Sequence, residues 1–407
     1  MNKKEKIIFL NNYPMDKRDF QRFGVETITR RGIEVEIWDV SKFYYQNLEK
    51  IKINTPFMPT VTNVKIQSLF HLHKCIQELN KNDIILVAGT TAKINSFTGF
   101  GIFRLISNSN LFLGHFTWGD HPIHQYELNA GQNIKSHITK IKNRISLILN
   151  PNQLKAAAIT KAINSTFFIF LNSKVGLIRP FSQVWFGVLD KRTHSIFISD
   201  KTEIRFVHNL DYDNYLKYVS TTPINSKQIV FLDSMGPLHP DFVIIGRKSD
   251  IDIESYRKIV KKSFEIIERS TGCEIVIAAH PRSNEIISKK LYGNRKTFFD
   301  KTAELVSKCR AVAVFDGSTS ISYAVLWAKP IILLYSSKND RESRLFNDIF
   351  IKELNPNVLD IDSTKSFIYS SEINERKYTQ YKANYIKKNG TPDKIFWDVV
   401  LDDLKLP

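Results

Sequence analysis

The strongest constraint on this chain is a pair of apolar runs, IVIAA (Ile275 to Ala279) and AVAVF (Ala311 to Phe315), each of which stops abruptly at small and polar residues. Continuous β-branched and aliphatic runs of this length read as strands buried on both faces, the habit of parallel sheets covered by helices. A helical pattern follows the second run, Ile321 to Ala328, and another strand, Pro330 to Leu334, follows that. The segment therefore predicts β-α-β units whose strand ends open on one edge, where α/β sheets hold their ligands.

The residues at those ends carry chemistry. Asp316-Gly317-Ser318-Thr319-Ser320 places a glycine turn and three hydroxyls before a helix start, a composition suited to phosphate through hydroxyl donors and free backbone N–H groups. An ordinary capped helix explains the same residues without a ligand. His280-Pro281-Arg282 ends the preceding strand, and a histidine there can donate to a phosphate oxygen at neutral pH. Together the two loops read as a two-sided phosphate clamp.

The pattern recurs along the chain. Lys6–Asn11 and Ile33–Asp39 are predicted strands flanking a helix from Arg18 to Arg31, and no GxGxxG stands between them, which argues for a Rossmann-like sheet without a dinucleotide. Further strands are predicted at Asp83–Val87, Leu111–His115, Phe167–Leu171, Glu203–Val207 and Gln228–Leu232. Helices are expected at 68–80, 99–107, 212–218, 255–270, 301–308 and 393–404. The stretch STTPINS, Ser220 to Ser226, has the composition of a domain junction. With 407 residues, the expected division is a first Rossmann-like domain over 1–225, a second over 226–390, and a closing helix in 391–407 that crosses back to the first.

Candidate acid–base groups stand at other strand ends. Asp233 closes the strand Gln228–Leu232, with His239 and Asp241 shortly after; a capped turn accounts for them equally well. In the first half, Tyr13, Arg18, Thr90 and His121 are acceptor-side candidates, and His115 and Asp120 stand near His121. Two histidines and an aspartate on this loop fit no established metal-ligand spacing. Asp211-Tyr212-Asp213 matches a metal-holding DxD pair formally, but a helix start capped by aspartate is the simpler reading.

A net charge of +17 calls for an anionic partner. No basic block with interleaved aromatics supports nucleic acid. Residues 128–189 contain no acidic residue and eight Lys or Arg, and Ile134, Ile138, Ile141, Ile145 and Ile148 fall along one helical stripe, a pattern found both at membrane surfaces and on faces packed against a protein's own core. Cys75, Cys273 and Cys309 are too few and too scattered for a disulfide framework. No secretory leader or bilayer-length apolar run is seen, so a cytoplasmic location, at the inner membrane face if the basic region docks there, is the expectation.

The His-Pro of HPR, followed by TAELV (Thr302 to Val306), a strand, GSTS (Gly317 to Ser320) and a Lys-Pro before the next strand, resembles bacterial capsule and lipopolysaccharide glycosyltransferases. The likeness is nearest to the sialyl- and Kdo-type transferases that use CMP-activated sugars, and it covers about residues 228–338. NNYPMDKRDFQRFGVE, from Asn11, is similar to the amino-terminal part of bacterial surface-carbohydrate proteins. The resemblance implies an α/β fold of GT-B type, two Rossmann-like domains facing each other across a cleft. It implies transfer of a nonulosonic-acid-type sugar from a CMP donor to a glycan or lipid-linked glycan, with His280 and Pro281 on the nucleotide and Ser318, Thr319 and Ser320 on phosphate. Arg282 and Gly317 complete the implied nucleotide-binding set. No cofactor or metal is implied, because the leaving group carries one phosphate. The acidic Asp/Glu-Asp/Glu-Gly motif of sialyltransferases is missing from its expected place, so the base is sought elsewhere, with Asp233 the first choice by its position at a strand end, Asp241 the second and His239 the alternative. A nucleoside-diphosphate-sugar or CDP-glycerol transferase, and a non-catalytic membrane-surface assembly protein, are the competing readings.

Overall fold

The computed structural model describes residues 5–13, 15, 17–45, 61–89, 92, 94, 96–119, 122, 172, 175–188, 197–219, 227–244, 248–316, 318–339, 341–363 and 367–406. Two all-parallel sheets organise the chain. The first contains β1 (Lys6–Asn11), β2 (Glu34–Asp39), β3 (Val61–Lys65), β4 (Ile84–Ala88), β5 (Phe112–Thr117), β6 (Gln183–Phe186) and β7 (Glu203–Phe206), in the order 3-2-1-4-5-6-7. The second contains β8 (Gln228–Leu232), β9 (Glu274–Ala278), β10 (Thr297–Phe298), β11 (Ala311–Val314), β12 (Ile331–Tyr335) and β13 (Asn357–Asp360), in the order 10-9-8-11-12-13.

Counted from its own first strand, each sheet follows the doubly wound Rossmann order, with the direction of progression reversing between the first and fourth strands. The fold is therefore α/β with two Rossmann-type units. The switch points lie between β1 and β4 and between β8 and β11.

The sheets form because their central strands have no polar face. Every residue of β4 and β11 is buried, as are four of the five in β8, β9 and β12. Helices bury the sheet faces. In the second unit the helix Ile253–Thr271 lays Tyr256, Ile259, Val260, Phe264 and Ile267 in one core with Phe231, Ile277 and Phe315. Asp252 caps this helix, accepting the Ser255 N–H at 2.9 Å, and Gly272 ends it in the left-handed region.

Several boundaries differ from the sequence expectation for identifiable reasons. The helix expected over 18–31 is two short helices, Lys17–Arg22 and Val25–Arg30, broken at Gly24 with φ +58°. Trp397 of the helix Phe396–Asp403 packs over that break and donates its indole N–H to the Arg22 carbonyl at 2.7 Å. A Cβ on Gly24 would stand 2.0 Å from the ring. Three short strands, β3, β6 and β13, escaped the pattern, because β3 is a largely exposed edge and β6 and β13 have only four residues each. Helix Leu210–Tyr218 is capped by Asn209, whose side chain accepts the Tyr212 N–H at 3.2 Å; Asp211 and Asp213 lie in its first turn instead of at the cap.

The second unit comprises His208–Lys394 with the short segment Gly119–Ile123, and the rest of the chain forms the first, so helix Leu210–Tyr218 belongs to the second unit and Phe396–Asp403 to the first. In the second unit the two ends of the longer stretch are tied together, as the His208 ring contacts the Lys394 carbonyl at 2.7 Å and the Asn209 N–H donates to the Ile386 carbonyl at 2.7 Å. In the first unit Arg31 pairs with Asp398 at 2.6 Å and Asp402 at 3.1 Å, and Trp185 donates to Asp403 at 3.0 Å. The strand expected at 167–171, the isoleucine stripe at 134–148 and the junction at 220–226 lie outside the described residues. No helix among the described residues is long and apolar enough to cross a membrane.

Because Gly24 combines a left-handed backbone with direct contact to an indole, Gly24→Ala should lower the unfolding free energy by about 2–3 kcal/mol, read by urea or thermal denaturation. An unchanged midpoint would place Trp397 elsewhere.

Candidate functional site

The carboxyl edge of the second sheet brings the sequence-predicted residues to one place through its strand order. β8 lies between β9 and β11, so the loop of Asp233 is flanked by the loop of His280 on one side and by the Asp316–Ser320 segment on the other. Asp233 is 4% exposed. One of its oxygens accepts the Met235 N–H at 2.6 Å and the hydroxyl of Tyr292, and the other accepts the His280 N–H at 3.1 Å. Tyr292 and Tyr256 share a hydroxyl–hydroxyl contact of 3.1 Å beneath it. Burial pushes the Asp233 carboxyl above its usual range, and the hydrogen bonds of Tyr292, His280 and Met235 act against that shift.

Asp233 thus fastens the end of β8 to the end of β9. Three of its hydrogen bonds go to donors that hold the loop, and the residue is 4% exposed. The two tyrosines were not expected as partners. Their only trace in the sequence is a phenol placed among apolar helix positions, where a buried hydroxyl needs a hydrogen-bond partner.

The other flank is tied less deeply. The Ser234 hydroxyl donates to Asp316 at 3.1 Å, joining the ends of β8 and β11. Ser318 and Ser320 share a hydroxyl contact of 2.6 Å, and the Ser320 N–H reaches the Ser318 oxygen at 3.3 Å. Neither serine caps the helix Ile321–Leu326 through its side chain. The backbone N–H groups expected to stand free for a phosphate are instead taken within the segment, that of Ser320 by the Ser318 hydroxyl oxygen and those of Ile321, Ser322 and Tyr323 by the carbonyls of Ser318, Thr319 and Ser320, and the two serine hydroxyls face each other. Thr319 is exposed and the two serines are half-buried; Gly317 lies outside the described residues.

His239 and Asp241 stand on the β8 side of the same edge. The imidazole rings of His239 and His280 are edge to face at 5.0 Å. Arg282 donates to Asp241 at 3.1 Å, and Asp241 also lies 3.7 Å from the His239 ring. Pro281 is exposed at the head of this turn. Asp362, after β13, accepts the Ser337 N–H at 2.6 Å and the Ser336 hydroxyl at 3.1 Å, bracing the loop after β12; hydrogen bonding from the Ser337 side chain first, and then from the Ser337 N–H and the Ser336 hydroxyl, holds its carboxyl below the usual range.

The first unit gathers a different set at its carboxyl edge. Tyr13 follows β1 and meets Tyr45 edge to face, and Asn11 donates to the Tyr13 carbonyl at 2.5 Å. Arg18 lies 3.7 Å from Asp19, and its Nε is buried with no hydrogen-bond partner among the described residues. Trp118, after β5, carries the Arg22 guanidinium at 4.9 Å from its ring centre, and its indole N–H is buried with no hydrogen-bond partner among the described residues. Thr90, Asp120 and His121 lie outside the described residues.

His115 is not an acid–base group. It is buried in β5, stacked on Phe181 at 5.0 Å, with Nδ1 2.9 Å from the Val87 carbonyl. Burial lowers its pKa to about 4, so the ring is neutral. Among the described residues no cluster of three His, Cys, Asp or Glu could hold a metal ion.

No protein-family model matches the chain, and no curated protein does. Among solved structures it is similar to the glycosyltransferase SnogD from Streptomyces nogalater (9% identity, 99% of this chain and 100% of that one, TM-score 0.47). It is similar also to CalG4, the calicheamicin glycosyltransferase (10% identity, 89% and 87%, TM-score 0.46). A third is a putative UDP-N-acetylglucosamine 2-epimerase from Listeria monocytogenes (12% identity, 99% and 96%, TM-score 0.44). At these values the fold assignment rests on the strand order itself, and the functional reading rests on the residues of the site.

Two measurements check the local picture. Tyr292→Phe removes one of the donors to a buried carboxylate and should cost about 1–3 kcal/mol of stability. His115 has a folded pKa below its ordinary 6.5, so its contribution is complete above pH 6.5 and is lost as the pH falls toward 4, where the unfolded chain takes up a proton that the folded chain refuses. That loss amounts to about 3 kcal/mol. His115→Phe should flatten the stability profile in this window, and an equally steep profile would assign the acid sensitivity to other groups.

Proposed function

We propose that the protein is a glycosyltransferase of GT-B type that moves a nonulosonic-acid-type sugar from a CMP donor to a bacterial surface glycan or lipid-linked glycan. The observation that carries this reading is the placement of an imidazole and an arginine after β9 and of a hydroxyl pair after β11, on the loops that flank β8 next to the switch point between β8 and β11, the kind of position where Rossmann-type sheets take nucleotides. In this reading His280, Pro281 and Arg282 meet the nucleotide, and Ser318, Thr319 and Ser320 meet its phosphate. The first unit takes the acceptor through the edge that carries Tyr13 and Arg18.

The reaction forms a bond from an acceptor hydroxyl oxygen to the anomeric carbon and breaks the bond from that carbon to the phosphate oxygen of CMP. CMP departs with the electron pair. His280 and the Ser318–Ser320 hydroxyls stabilise the charge that gathers on the phosphate oxygens, and donors positioned in advance serve this better than water because they need no reorganisation. The acceptor proton passes to a general base. Asp241 and His239 are more open than Asp233, which the buried network occupies, and they take precedence for that role.

The test is nucleotide binding followed by turnover. CMP should raise the melting temperature more than UDP, GDP or TDP does, and the protein should release CMP from a CMP-sugar. His280→Ala, and Ser318→Ala combined with Ser320→Ala, should each weaken CMP binding at least tenfold, about 1.4 kcal/mol. Stronger stabilisation by UDP or GDP would move the donor to the nucleoside-diphosphate sugars. Liposome binding that survives His280→Ala, with no nucleotide bound at all, would instead support a non-catalytic surface protein.

A further inference from the structure

Among the described residues two phenylalanines are exposed, Phe70 and Phe97, each by 67%. They occupy matching places. Phe70 lies in the first turn of helix Leu69–Gln77, and Phe97 opens helix Phe97–Ser107. A serine in extended conformation starts each helix, Ser68 accepting the His71 N–H and Ser96 the Gly99 N–H, both at 3.0 Å. The helices lead into β4 and β5, which are parallel neighbours. Both therefore start at the carboxyl edge of the first sheet, the edge that carries Tyr13 and Arg18.

The two helices pack side by side. Leu69 lies against Gly101, where a Cβ would stand 2.7 Å from the Leu69 Cδ1. Their inner faces bury Leu72, Ile102, Phe103 and Ile106 in one core. An amphipathic helix spends its apolar residues on that inner face, and the two rings fall outside it. One exposed apolar side chain calls for no explanation. Two aromatic rings in the first turns of adjoining helices form a surface feature of the kind that marks a contact with something else.

The charge of these helices has one sign. No acidic residue stands between Glu49 and Glu78, or between Asp83 and Asp120, and Glu78 caps the far end of its helix. The Lys74 ammonium lies 4.7 Å from the Phe70 ring centre, Lys42 donates to Gln67 at 3.1 Å, and Lys65 and Arg104 are exposed. Exposed rings set among cations suit an anionic bilayer, with the rings entering the headgroup boundary and the ammonium groups meeting lipid phosphates. Single-stranded nucleic acid would instead stack its bases along a groove, whereas these rings stand at helix ends.

We infer that the Phe70–Phe97 face of the first unit is a docking surface for an anionic phospholipid bilayer. The surface is independent of the donor. Its use, to bring a lipid-linked acceptor to the edge of Tyr13 and Arg18, rests on the transfer reaction proposed above.

The experiment sediments the full chain with vesicles of phosphatidylglycerol and phosphatidylcholine in equal parts, and with vesicles of phosphatidylcholine alone. The protein should bind the first and not the second, and less as salt is raised. Phe70→Ser combined with Phe97→Ser should weaken binding at least about tenfold, with melting temperature and CMP binding unchanged, while leucine at both positions should stay within about threefold of the parent. Lys74→Gln should cost about fivefold. In Phe97→Trp the indole emission should move to the blue on addition of anionic vesicles and be quenched by brominated acyl chains. Vesicle binding that the serine pair leaves unchanged, or emission from Phe97→Trp that vesicles do not move, overturns the surface. A serine pair that loses binding to oligothymidylate, or loses a concentration-dependent dimer, while vesicle binding is intact overturns it too, and assigns the face to nucleic acid or to a second copy. Absence of CMP binding by the parent protein, with vesicle binding as expected, overturns the nucleotide reading alone.

Discussion

The candidate site depends on one buried carboxylate. Asp233 is taken out of water at the end of β8, and such a group is tolerated only when its oxygens are filled by donors. The donors come from its own loop, from the neighbouring strand's end and from a helix: Met235, His280 and Tyr292. The same bonds that satisfy the charge therefore fix where His280 begins its turn. Ser234, one residue on, extends the tie to Asp316 on the opposite side. The starts of three loops are thus tied together, two of them by the desolvated Asp233 and the third by its neighbour Ser234.

This arrangement separates the work of the residues that a sequence reader lists together. Asp233, the first choice for a base on grounds of position at a strand end, is the most deeply committed to holding the edge. His239 and Asp241, six and eight residues further, are more exposed and stand over the edge that Asp233 organises. The hydroxyl segment changes in meaning too. Ser318 and Ser320 do not cap the following helix, and their mutual contact keeps two hydroxyls side by side at the strand end. A phosphate reading survives that change because it needs hydroxyls in the right place, whether or not they serve the helix.

The first unit shows the same economy of constraint at a different point. Gly24 interrupts a helix that helical periodicity alone would have continued, and Trp397, far away in the chain, fills the space that a side chain would have taken. Arg31, at the end of the second short helix, pairs with two carboxylates of the same distant helix, Asp398 and Asp402. Local preference was overruled there by a contact that no window of sequence contains.

The sequence by itself determined the class of fold. Runs without a polar face must be buried on both sides, and in a chain alternating such runs with amphipathic helices that forces parallel sheets under helical cover. It also marked the loops after β8, β9 and β11 as chemical, since small, polar and proline-bearing residues gather where buried strands end. Only the tertiary structure decided how those loops join. Strand order placed β8 between β9 and β11, and hydrogen bonds between residues 47 and 82 positions apart assigned Asp233 to His280 and Ser234 to Asp316. It also brought together the rings of two His-Pro pairs, His239-Pro240 and His280-Pro281, whose proximity is not visible in sequence. The physical reason is that periodicity reports the burial of each element, a local property, whereas the meeting of strand ends follows from sheet order, which depends on contacts between elements distant in the chain.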